Sequence, residues 1–87
     1  MILLKSINGD YYGINCHSSI TTLYSEATCV CVNGYTVATC SDSAEAQRVK
    51  DEIVTGIRKI EQGGGNGLIS LKESDGGVII EVIIDDL

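Results

Sequence analysis

Hydrophobic and polar positions follow two periods along the chain. Up to Cys40 the apolar residues fall in short strand-like runs, Ile2–Ile7, Asp10–Asn15, Ile20–Tyr24, Ala27–Val32 and Tyr35–Cys40, of which Ile20–Tyr24 is rich in β-branched side chains. Such runs predict strands. Asn8-Gly9 and Asn33-Gly34 lie between paired runs, and Asn-Gly supplies the positive φ that a type I′ hairpin turn needs at both central positions. In the second hairpin a two-residue turn sets Val32 opposite Tyr35, Val30 opposite Val37 and Thr28 opposite Thr39. The other face then carries Cys31 opposite Thr36, Cys29 opposite Ala38 and Ala27 opposite Cys40. That face has small side chains, against which a helix can pack closely.

The period then changes. From Ser43 to Gln62, Ala46, Val49, Ile53, Ile57 and Ile60 fall three or four apart and make one stripe of a helix. Asp42 is placed to cap it, with Glu45 three residues on in a capping-box arrangement. Gly63-Gly64-Gly65 ends it, preceded by Arg58 and Lys59, whose charges suit the negative end of the helix dipole. Gly56 inside the helix costs propensity and predicts a close approach to the sheet. Leu68–Lys72 and Val78–Ile84 read as two more strands around a Ser74-Asp75-Gly76-Gly77 turn. The last strand is apolar on both faces: Val78, Ile80, Val82 and Ile84 point one way, Ile79 and Ile83 the other, with only Glu81 polar. The expected fold is α+β, an antiparallel sheet of β-hairpins with one amphipathic helix packed on one face. Residues 1–87 form a single domain, because two cores in 87 residues would each be too small. One helix cannot cover both faces of such a sheet, so the doubly apolar last strand predicts a homo-oligomer.

Charge changes the picture next. Six Lys and Arg stand against twelve Asp and Glu, for a formal net charge of -6. A free-standing nucleic-acid-binding module carries an excess of cations to displace phosphate counterions, so direct nucleic-acid binding is excluded as the expected role. The imbalance is local. The helix pairs Arg48, Lys50, Arg58 and Lys59 with Glu45, Asp51, Glu52 and Glu61, which leaves the entire deficit on the β portion. Ile2–Leu4 ahead of Lys5 is too short for the core of an export signal, and no run reaches the roughly 18 apolar residues of a membrane span. The expected location is the cytoplasm of a host cell, without membrane contact.

Candidate chemistry is sparse. Cys16, Cys29, Cys31, Cys40 and His17 are metal-ligating residue types, but their spacing contains no Cys-x2-Cys pair. Without an export signal they read as reduced thiols that pack as small hydrophobes. Cys16 and His17 are adjacent and on extended chain point to opposite faces, so His17 is badly placed to activate that thiol. The glycine run follows the helix rather than preceding it and has no adjacent Lys, unlike a phosphate loop. No enzyme, cofactor or metal site is expected. All four aromatics are tyrosines, and Tyr35 shares the bulky hairpin face with Val30, Val32 and Val37, either in cross-strand packing or as an anchor for a partner.

The run from Cys40 to Ile53, a strand end followed by Ser41-Asp42-Ser43-Ala44-Glu45-Ala46-Gln47-Arg48-Val49-Lys50-Asp51-Glu52-Ile53, resembles a pattern in small β–α proteins of Firmicute phages and mobile elements, best over residues 27–62. The resemblance implies a compact phage-encoded protein that acts by binding, in a class that includes anti-defence proteins. It carries over no functional residue. Residues and resemblance together suggest a non-enzymatic inhibitor of a host defence protein, one that handles nucleic acid. Its acidic β surface, with Glu73, Asp75, Asp85 and Asp86 and with Tyr35 as anchor, would dock on a basic partner. Two alternatives stand beside it. One is an oligomeric sponge that holds a nucleotide second messenger through Arg48, Lys50, Arg58 and Lys59. The other is a structural oligomeric module without a ligand.

Overall fold

The computed structural model describes residues 1–24 and 28–85. The fold is α+β, with seven strands and one helix among the described residues: β1 Ile2–Lys5, β2 Tyr11–Ile14, β3 Ile20–Tyr24, β4 Thr28–Val32, β5 Tyr35–Cys40, α1 Ser43–Gln62, β6 Gly67–Ser74 and β7 Gly77–Ile84. The strands form two sheets rather than one, in the orders β2-β1-β6-β7 and β3-β4-β5. All pairings are antiparallel except β1 with β6, which is parallel. The parallel pair arises because the chain leaves the first sheet after β2, builds the second sheet and the helix, and returns alongside β1. Ile2 and Leu4 on β1 are consequently buried between neighbours on both sides.

The helix matches its predicted bounds. Asp42 caps it, its carboxylate accepting from the Glu45 N–H at 2.8 Å. The stripe Ala46, Val49, Ile53, Ile57 and Ile60 is buried and packs against both sheets as part of one core with Leu4, Val30, Val32, Val37, Ile69 and Val78. Gly56 permits the expected close approach, since a Cβ there would lie 3.0 Å from Val82 and 3.1 Å from Ile69.

The two Asn-Gly pairs behave differently. Asn33 (φ 50°) and Gly34 (φ 87°) form the predicted type I′ turn. At Asn8-Gly9 only the glycine has positive φ, and the connection is longer. Buried Ser6 organises it instead: its carbonyl accepts from Gly9 at 3.0 Å, and its hydroxyl accepts from the Asn8 and Asp10 amides, each at 3.2 Å. A serine that offers its own side chain to nearby amides competes with the tight turn.

The predicted hairpin register holds for Val32–Tyr35 and Cys31–Thr36 and then shifts by one. Val30 faces Ala38 rather than Val37, Cys29 faces Thr39, and Thr28 faces Cys40. A bulge at Val37 is the cause. It turns both Val37 and Ala38 into the core and lets the Val37 carbonyl accept from Ile7, in the turn after β1, at 3.0 Å. The pairing expected for Ala27 lies outside the described residues. Ile20–Tyr24, whose partner the sequence left open, pairs with β4. On β7 the helix-facing side is covered at Val78 and in part at Ile80 and Val82, while Ile84 at its end is exposed. Val78 is buried, whereas Ile79 is 54% and Ile83 46% exposed on the outer face.

Candidate functional site

The described acidic residues among those singled out in the sequence do not form one surface. Glu73 and Asp75 sit at the β6–β7 turn, where Ser74 faces Gly77. Asp85 follows the other end of β7, eight strand residues away, or roughly 27 Å at the rise of an extended chain. Asp86 lies outside the described residues. Tyr35 begins β5, whereas the acidic turn lies near that strand's other end, at Cys40. Tyr35 is 62% exposed and its ring rests on Tyr12 of the other sheet, with centroids 5.6 Å apart.

What the fold does gather is an acidic cleft of about 420 Å³ at one end of the molecule, whose wall includes Cys40, Ser41, Glu45, Glu73 and Asp75. The end of β5, the first turn of α1 and the β6–β7 turn meet there. Glu45 is fixed from two sides: the Ser41 hydroxyl donates to Oε2 at 2.8 Å, and the Val78 N–H donates to Oε1 at 3.2 Å. Gly77, at φ 117°, leaves the room this carboxylate needs, because a Cβ there would sit 2.9 Å from it. Arg48 donates to the Val78 carbonyl at 2.8 Å and pairs with Glu52. The Cys40 thiol is pushed above its ordinary pKa, first by burial and then by the negative charge of Glu45. A thiol held protonated in an anionic cleft is a poor nucleophile at neutral pH. This arrangement can attract a cationic surface and offers little to covalent chemistry.

Glu45 was legible in the sequence only as a helix-capping residue. Its second role depends on a strand more than thirty residues later, and the signal was the glycine-rich turn ahead of Val78. The four helix cations divide. Arg48 and Lys59 line a groove of about 890 Å³ between α1 and β7, together with Asp51, Glu52, Ile80 and Val82. Arg58 borders a smaller cavity with Cys16, Ile20 and Ile57 on another side of the helix, and Lys50 lines neither. One chain therefore does not converge them on a single ligand.

Cys16 is exposed, Cys29 half-buried, and Cys31 and Cys40 buried. Cys31 Sγ lies 3.7 Å from the Thr36 hydroxyl. His17 occupies the turn after β2, where its amide donates to the Asn15 side chain at 2.7 Å. Among the described residues no group of three or more His, Cys, Asp or Glu is placed to hold a metal ion. No described helix is long and apolar enough to cross a membrane. Comparison with protein-family models, with curated proteins and with solved structures finds no match to this chain.

Proposed function

We propose that this chain is a non-enzymatic binding protein that docks its acidic end on a basic surface of a partner protein, in the manner of the anti-defence proteins in the class of small phage and mobile-element proteins that residues 27–62 resemble. The observation that carries this reading is the convergence of Glu73 and Asp75 with Glu45 around one cleft. Three carboxylates from two distant segments, one of them anchored by hydrogen bonds to Ser41 and Val78, make a negative patch with one member held in place. Such a patch steers a cationic partner and sets its orientation. Asp85 contributes at most to the distal edge of an interface, and Tyr35 lies at the end of β5 away from the cleft.

Capture from host lysate with wild-type protein and with the double variant Glu73→Lys/Asp75→Lys tests this. Both side chains are at a surface turn, so the variant is expected to keep its fold. A protein retained by the wild type and at least tenfold depleted on the variant is the expected outcome. Retention indifferent to the two reversals overturns the proposal. Native mass spectrometry of the same wild-type sample reads the alternative, since a nucleotide carried through purification points to the helix cations instead.

A further inference from the structure

The edge of β7 carries an inference that does not depend on the acidic cleft. β7 ends its sheet, is eight residues long and pairs with β6 without a bulge. Natural edge strands are usually short, kinked, charged or covered. This one bears only Glu81 within its apolar run.

Hydrogen bonding fixes which backbone groups face outward. In an antiparallel pair, the N–H and C=O of one residue point to the same side and alternate from residue to residue. The Asp85 amide donates inward to Asn66 at 2.9 Å. The Val78 N–H and C=O instead meet Glu45 and Arg48 of the helix. Val78, Ile80, Val82 and Ile84 therefore direct their backbone groups to the free edge. At Val78 the two helix side chains take the place of a neighbouring strand. The outward groups of Ile80, Val82 and Ile84 have no partner among the described residues.

We infer that this stretch pairs with the same stretch of a second copy, antiparallel, about a two-fold axis at Val82. Among registers within the described strand, this one engages all three free residues. It sets Val82 opposite Val82 and Ile80 opposite Ile84, using every free outward residue, whereas an axis at Ile80 or Glu81 requires Val78, which the helix already occupies. The adjoining groove agrees in charge. α1 runs alongside β7 in the same direction, with Glu45 near Val78, Gly56 near Val82 and Gly63 near Ile84. The two-fold at Val82 thus brings Thr55 and Gly56 closest to the axis and points Lys59 of one copy toward Glu52 of the other. The flank holds two cations, Arg48 and Lys59, and two anions, Asp51 and Glu52. It is a balanced surface on a chain of net charge -6, so a second copy approaches there without the repulsion it meets at the acidic end.

Sedimentation velocity across a concentration series is expected to give a species of twice the monomer mass. Ile84→Pro removes an outward N–H and no bond to β6, a change an edge strand tolerates, and is expected to return the mass to that of a monomer. In the unaltered protein, the Ile80, Val82 and Ile84 amides are expected to gain protection from hydrogen exchange as concentration rises, a readout that needs no variant. Oxidation of mixed Glu81→Cys and Ile83→Cys proteins is expected to join position 81 to position 83, the non-hydrogen-bonded neighbours in this register. A monomer at every concentration, a dimer indifferent to Ile84→Pro, or a bond joining two copies of position 81 overturns the inference. So does a foreign strand bound at this edge of an otherwise monomeric chain.

Discussion

Replacing Ile53 by alanine is expected to lower stability by about 3–4 kcal/mol, from the lost apolar contact and the cavity left behind. Ile53 is fully buried at the middle of α1, and α1 packs against both sheets. A domain of this length has a total stability of roughly 4–13 kcal/mol, so the loss takes a large share of it. Because one core spans both sheets, the variant should still unfold in one step with a lower urea midpoint. The chain supplies its own probe: it has no Trp, and Tyr12 and Tyr35 touch across the two sheets. Tyrosine fluorescence and far-UV circular dichroism are expected to give the same midpoint. Two separated transitions would mean that the sheets hold independent cores.

The second large effect concerns a backbone contact. Gly67→Ala is expected to destabilise by about 2–3 kcal/mol, within the range for overpacking a filled site. A Cβ at Gly67 would lie 2.5 Å from the Ile83 carbonyl oxygen and 2.9 Å from the Ile60 side chain. The carbonyl belongs to the paired strand and cannot move without disturbing the β6–β7 ladder. Gly13→Ala is the matched comparison. It sits in β2 with nothing within 4 Å of the new Cβ, and its stability change should stay within about 0.5 kcal/mol. Thermal melts of the two variants side by side check the contrast. A Gly67→Ala protein as stable as Gly13→Ala would contradict the described packing of β6.

Local signals in the sequence were sufficient for the elements. The three-and-four spacing of Ala46, Val49, Ile53, Ile57 and Ile60, with Asp42 ahead and glycines behind, located the helix because cap, stripe and stop all lie within one segment. Asn33-Gly34 located its hairpin for the same reason. What the sequence could not show were relations between distant segments. The split into two sheets follows from where β6 returns, beside β1, and no local pattern encodes that pairing. The bulge at Val37 was hidden because an uninterrupted register looked equally consistent; only contact with Ile7 and the core makes the extra residue worthwhile. The candidate site divides along the same line. Glu73 and Asp75 were visible as charges near a turn. Their meeting with Glu45 depends on Gly77 and on the Val78 amide, and so on how the final hairpin lies against the start of the helix. Asp85 was visible as a charge after the last strand and Tyr35 as an aromatic on a hairpin, yet the fold places both away from that cleft.

The measurement that bears most directly on the proposed role is the affinity for the captured partner as a function of ionic strength. At about 0.1 M salt the screening length is about 10 Å, and at 1 M it is about 3 Å. Contact between a carboxylate cluster and a basic surface must therefore weaken across that interval. Docking through Glu45, Glu73 and Asp75 predicts a dissociation constant that rises at least tenfold over the series, with a shallower slope for Glu73→Lys/Asp75→Lys. A dissociation constant that stays level from low to high salt in the wild-type protein would contradict it.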